Sequence, residues 1–380
     1  VSLHPKVQEL ISIVDPVKYA GTRNFLTGSV TNLSPYITHG VISTFETALA
    51  VVSRFGYDST RTLVYELAWR DYFQRVWADK GDGIFNDLLN SQPSGQRRGI
   101  PASVYNFQTG IEVIDAAVQS LYLDGYVHNH ARMWIASIVC SIGRCKWEDG
   151  ARWFFYHLLD GDLASNTLNW QWIAGTFSKK PYLANQDNLN HFSGTKQKGT
   201  FLDVSYEGLL GMSVPPVSIP SVSIPSVLED TIEPLIEVFL PKIAEEVQYV
   251  YAGQSTLFLY HIWMLDPNWR KEEVGARVLV IEPSFFRRFP ISQKRWNFIL
   301  SLTEAMSGLT IWIGEVSDLP NLENFSVIHT RAHPSVSHYP GLHDPYPYLV
   351  SAEVDVVQKS FSAFWKRYEP LVKNILTERV

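Results

Sequence analysis

The residues from Asp160 to Gly175, DGDLASNTLNWQWIAG, bring acid, amide and indole side chains together. Asp160 and Asp162 supply carboxylates, Asn166, Asn169 and Gln171 supply amides, and Trp170 and Trp172 supply large rings. The whole chain is only 18% charged. A packed core has no use for the acids, because a buried carboxylate without a partner is expensive. A solvated loop has no use for the indoles, which bury large apolar areas. The stretch therefore reads as a site rather than as core or loop.

Other residues pair by helical spacing. Glu66 and Trp69 stand at i and i+3, and Asn129 and Met133 at i and i+4, so each pair shares one helix face. Amphipathic packing alone does not choose Glu66 or Asn129. The segment VTNLSPY sets Thr31, Asn32, Leu33 and Ser34 just before a helix. Free N–H groups and the helix dipole make such a start a seat for phosphate; a plain N-cap at Ser34 is the simpler alternative. Arg97, Arg98, Lys179, Lys180, Lys196 and Lys198 could meet phosphates, although such charges are usually solvated surface.

These residues lie on a chain of 380 residues, long enough for two or three domains. It is 46% hydrophobic and 13% aromatic, with 12 Trp and a net charge of −6. No global basic field points to nucleic acid, so any DNA contact must use a local patch. Cys140 and Cys145 are the only cysteines, too few for a zinc or iron–sulfur site, and reduced thiols fit a cytoplasmic setting. No apolar run approaches about 18 residues, so no membrane span is expected.

Residues 1–212 read as helical. SPYITHGVISTFETALAVVSRFG, STRTLVYELAWRDYFQRVWADKG and the two halves of IEVIDAAVQSLYLDGYVHNHARMWIASIVCSIG have helical periodicity and Ser, Thr or Gly punctuation. Residues 213–254 hold the repeated VSIPS unit within Val214–Val227, an extended linker, and then LEDTIEPLIEVFLPKIAEEVQYV, which reads as a helix. Residues 255–380 change pattern. TLFLYHIWML, ARVLVIEP, LTIWIGE and FSVIHTR are strand-like, with a helix in PISQKRWNFILSLTEAMSG, so a mainly parallel α/β domain is expected. No glycine-rich nucleotide motif occurs there.

The blocks YAGTRN, LSPYITHGVIS, YELAWRDYF, HNHARM and LLDGDLASNTLNWQW, in that order, resemble the flavin-binding domain of the photolyase/cryptochrome family over residues 19 to 180. The resemblance implies an all-helical domain holding FAD in a folded-back form. It implies FAD contacts at Tyr19, Thr31, Asn32, Leu33, Ser34, Arg132, Asp160, Asp162 and Asn166, with Arg132 and Asp160 as an ion pair beside the isoalloxazine. Trp170 and Trp147 match the inner and middle members of an electron-transfer chain whose distal tryptophan has no match; Tyr105 is nearby. Glu66, Trp69, Asn129, Met133 and Trp172 match the lesion pocket of cyclobutane-dimer photolyases. (6-4) photolyases carry histidines where Asn129 and Met133 stand, with His128 and His130 only as neighbours.

The C-terminal stretch looks like a Rossmann-like antenna domain, and SFSAFWKRYEPL like the segment that normally ends one. A circular permutation follows, since the family usually begins with that domain. The implied activity is light-driven repair of pyrimidine dimers in DNA by electron transfer from reduced flavin. The expected partner is dimer-containing DNA and the expected state a monomer without metal cluster; the antenna chromophore is not indicated. The rival is a flavin photoreceptor without repair, favoured by the net acidity, the missing distal tryptophan and the altered loop PYLANQDNLNHFSGTKQKGTF. A structural module without flavin would make the acid, amide and indole block accidental.

Overall fold

The structure, a computed structural model, describes residues 3–213, 223–241, 254–350 and 359–379. Helices α1 (Pro5–Ser12), α2 (Pro16–Thr22), α3 (Ser34–Thr38), α4 (Thr44–Phe55) and α5 (Tyr57–Lys80) come first. The short strand β1 (Ile100–Pro101) leads to α6 (Ala102–Tyr105), α7 (Glu112–Asp124), α8 (Asn129–Ser137), α9 (Trp147–His157), α10 (Leu163–Ala174), α11 (Gln186–Ser193) and α12 (Tyr206–Ser213). After β2 (Thr231–Ile232) the pattern becomes β3 (Thr256–Tyr260), β4 (Ala276–Ile281), α13 (Pro283–Arg288), α14 (Gln293–Thr303), β5 (Leu309–Ile313), β6 (Val327–Arg331), β7 (Leu342–Asp344) and α15 (Phe361–Glu378).

The chain divides into two compact units. One takes Val1–Ala20, Val30–Asp79 and Glu237–Val380; the other takes Gly21–Ser29 and Lys80–Ile236. In the first, five parallel strands run in the order β5-β4-β3-β6-β7. The order reverses beside the first strand, as in doubly wound sheets. β3 and β4 are buried almost throughout, which explains their unbroken apolar runs. Helix α15 packs in the same unit: Glu369 pairs with Arg61, Lys373 with Asp58 at 2.9 Å, and the buried Asp71 accepts from Leu349 N at 2.7 Å.

Two expected helices differ from the structure. Residues 34–56 form α3 and α4 rather than one helix. Gly40 has φ +63°, and a Cβ there would lie 2.4 Å from the Trp263 carbonyl oxygen. The backbone turns at that close approach, and the Ser43/Glu46 capping box starts α4 afresh. The helix expected over 228–250 is absent over 229–241, where Thr231–Ile232 pairs antiparallel with Ile100–Pro101. Pro234 and Pro241 remove donors from any helical ladder there. Residues 242–250, and 214–222 of the expected linker, lie outside the described residues.

The second unit is helical. Gly125, in the left-handed region at φ +65°, ends α7, so the break expected near it is where the chain turns toward α8. α8 runs on into a π-helical turn, Ile138–Ile142, and both cysteines are buried free thiols.

Candidate flavin and electron-transfer site

In the helical unit the site is assembled around the start of α10. Asp162 is its N-cap, with a carboxylate accepting from Ser165 N at 2.6 Å. This places Asp160 just before the helix, where its side chain is 5% exposed. Arg132 reaches it from α8: Nη2 donates to Asp160 Oδ2 at 3.0 Å, while Nε donates to Val127 O at 2.7 Å. The guanidinium also lies 5.8 Å from the Tyr126 ring centre. One turn into α10, the Asn166 amide donates to Ala151 O at 2.8 Å, which leaves its carbonyl oxygen as the acceptor end. The buried Ser165 hydroxyl has no hydrogen-bond partner among the described residues. A cation, two carboxylates, an amide and an unused hydroxyl suit the polar edge of an isoalloxazine, so this donor set fits FAD.

Trp170 is 3% exposed and meets Phe154 edge to face at 5.0 Å. It nests on Gly150 of α9, where an added Cβ would sit 2.2 Å from the indole. Gly150 is one turn beyond Trp147, so Trp147 shares the α9 face that meets Trp170. Gly150→Ala should therefore displace the indole and cost about 1–3 kcal/mol. Urea denaturation of the variant tests this, and parental stability would show that the indole does not occupy that space.

On the outside of the same helices lie substrate candidates. Asn129 is exposed, Met133 half-buried and Trp172 37% exposed. Tyr182, which sequence reasoning missed, links this group. Its ring lies 6.0 Å from Trp172 and its hydroxyl reaches His130 Nε2 at 3.5 Å. His130 donates through Nδ1 to Asn24 O at 2.8 Å and sits against Trp134 and Phe192. His128 caps α8 by accepting from His130 N. Burial holds both imidazoles below the ordinary histidine value, and for His128 the neighbouring His130 and Arg132 add to it.

Arg97, considered for phosphate, donates instead to the carbonyls of Gly143, Leu228 and Glu229, and Arg98 pairs with Asp149 at 2.7 Å. Both arginines have structural work that their sequence gave no sign of. Lys179, Lys180, Lys196 and Lys198 are exposed.

The sheet-containing unit carries the remaining residues. Thr31 accepts from Leu33 N at 3.4 Å and Asn32 is left-handed at φ 54°. Helix α3 has only five residues, too few for much of a macrodipole, so anion binding at Thr31–Ser34 would rest on local N–H and hydroxyl groups. Tyr19, Glu66 and Trp69 are all partly buried. Trp69 stacks on Phe361 of α15, ring centres 3.7 Å apart at 15°. Nothing in the α5 sequence signals that partner, which lies far along the chain.

Comparison with known proteins gives a consistent result. Residues 63–202 match the family described as the FAD binding domain of DNA photolyase. The chain is 36% identical over 163 residues to a deoxyribodipyrimidine photo-lyase of Streptomyces griseus, covering 42% of this chain and 35% of that protein. It is 34% identical over 166 residues to a cryptochrome DASH of Synechocystis sp., covering 41% and 34%. Among solved structures, a Synechocystis cryptochrome aligns at 28% identity and a TM-score of 0.44, over 49% of this chain and 41% of that one. The chain spans about a third of the length of the curated relatives it matches. Among the described residues no helix is long and apolar enough to cross a membrane.

Proposed function

We propose that this chain, whose residues 63–202 match the FAD binding domain of DNA photolyase, is a light-driven enzyme of the photolyase/cryptochrome family repairing cyclobutane pyrimidine dimers in DNA. Bound and reduced, FAD supplies a photoexcitable one-electron donor. The observation that carries the reading is the division of labour on two helices. α8 sends Arg132 to the buried Asp160 and keeps Asn129 exposed; α10 buries Trp170 and leaves Trp172 37% exposed. Each helix thus offers one residue to the cofactor and another to a ligand outside.

In the helical unit, Arg132, Asp160, Asp162 and Asn166 take the ring system, Trp172 takes the flipped dimer by stacking, worth about 1–3 kcal/mol per base, Asn129 hydrogen-bonds its edge and Met133 fills space. In the sheet-containing unit, Tyr19, Thr31, Asn32, Leu33 and Ser34 have the residue types for the phosphate side, and Glu66 and Trp69 those for hydrogen-bonding and stacking a base. Flipping costs little because the lesion is already poorly stacked. His130 is committed to Asn24 and Tyr182, which supports a pocket without the proton-donating histidine needed for (6-4) lesions. In domain terms, residues 1–212 are the flavin-binding segment, 213–254 the connection and 255–380 a Rossmann-like domain.

One observation favours a second reading, a flavin photoreceptor without repair. The Trp69 face stacked on Phe361 is already covered. The assay that decides is direct: reduced, flavin-loaded protein is illuminated with a dimer-containing oligonucleotide, and restored thymines are counted against a dark control. Light-dependent restoration is expected for cyclobutane dimers and not for (6-4) products. No restoration from fully loaded protein would leave the photoreceptor.

A further inference from the structure

The expected electron chain lacks its distal tryptophan, so a hole passed outward from Trp170 needs another place to stop. The geometry around Trp147 provides one. Its ring is 1% exposed, yet its Nε1–H donates at 2.7 Å to Oδ1 of Asp87, an exposed residue. The other Asp87 oxygen accepts from Gln92 N at 3.0 Å. Gln92 in turn accepts from Trp147 N at 3.1 Å and donates to Cys145 O at 2.8 Å. The loop carrying Asp87 is thereby stapled to the start of α9, and the carboxylate is held on the indole rather than merely near it.

We infer that Trp147 and Asp87 form the proton-coupled end of the electron chain. The inference rests on the flavin reading proposed above. A bound, photoexcited oxidised flavin would supply the one-electron acceptor, with Trp170 as the first donor. Trp147 refills Trp170 with one electron. Oxidation makes the indole N–H strongly acidic, and its proton moves along the existing hydrogen bond to Asp87 Oδ1. What remains is a neutral indole radical and a protonated carboxyl that can release its proton to water. One electron and one proton have left Trp147, and no other reagent is needed. Return of the electron is then slow, because it must recover the proton as well. A buried tryptophan can serve as terminus in this way, whereas a solvent-exposed one would lose its proton to water directly.

A second aromatic exit competes with this one. Trp170 meets Phe154, Phe154 meets Trp153 at 5.1 Å, and Trp153 meets Tyr105 at 6.0 Å. Unlike Trp147, Trp153 Nε1 meets no carboxylate among the described residues. It therefore lacks a carboxylate base to trap the hole.

The test uses flavin-loaded protein and time-resolved absorption after a blue flash. The parent should show a long-lived neutral tryptophan radical whose formation slows in D2O. Asp87→Asn keeps an acceptor of the same shape but removes the base. It should shorten the separated-charge lifetime by about tenfold or more, the scale of a positioned general base, and abolish the D2O effect. Asp87→Glu should restore both in part. In the dark, the Trp147 indole N–H resonance should move and exchange faster in Asp87→Ala; an unchanged resonance would overturn the inference. So would a parental lifetime in Asp87→Asn, especially if Trp153→Phe shortens it instead. A parent that forms no tryptophan radical at all would mark failure of the underlying flavin reading, an outcome separate from any effect at Asp87.

Discussion

Trp170→Phe should leave flavin bound and remove nearly all blue-light reduction of the protein. The indole is buried, nested on Gly150 and set edge to face against Phe154. Phenylalanine fills most of that space, so the fold should lose only about 1–2 kcal/mol. What it cannot do is give up an electron readily, because a benzene ring is much harder to oxidise than an indole. Flavin absorbance measured under continuous blue light with an external reductant reads the effect. Trp153→Phe is the natural comparison, since it removes a neighbouring buried indole from the same aromatic cluster. If Trp170→Phe bleaches at the parental rate, Trp170 is packing alone, and the family's electron chain does not operate here.

The inner part of this site was legible because it is local. Asp160, Asp162, Asn166, Trp170 and Trp172 fall within one cap and one helix, and the cap chemistry of Asp162 fixes their relative directions. Arg132 needed the resemblance, because no spacing rule joins α8 to the loop before α10. Residues that act across long sequence gaps left no trace. Asp87 and Gln92 look like ordinary loop residues until they are found on Trp147. Tyr182 looks like one aromatic among many, and Phe361 gives no hint of Trp69.

In the sheet, β3 and β4 were readable because strands buried almost throughout become continuous apolar runs, and β5 and β6 were readable from their β-branched and aromatic residues. β7 was not, since Leu342–Asp344 is only three residues long and carries a histidine and an aspartate. The helix reading of 34–56 failed at Gly40, where tertiary contact with Trp263 outweighed local periodicity. That reading counted spacing and could not see the neighbour.

Arg132→Ala carries the largest expected loss of stability. The guanidinium is the charged partner of Asp160, whose side chain is only 5% exposed, and it also holds the Val127 carbonyl. Removing it leaves a buried carboxylate without its countercharge, which typically costs about 3–5 kcal/mol. The midpoint of urea unfolding should fall accordingly, and the purified variant should be colourless. Stability and flavin binding are entangled in that single variant, because a bound cofactor itself stabilises the folded state. The double variant Arg132→Met/Asp160→Leu separates them. Replacing both charges with apolar side chains of similar size leaves no buried charge unpaired, although the Val127 carbonyl loses its donor, and such exchanges are often neutral or stabilising. The double variant should therefore recover most of the lost stability and still fail to retain FAD, because the cation and acid proposed to meet the ring are gone. Recovery of both stability and flavin would mean that the pair is structural and that other residues hold the ring. Recovery of stability without flavin would assign Arg132 and Asp160 to the cofactor and explain why a costly buried ion pair stands where an apolar contact would serve the fold equally well.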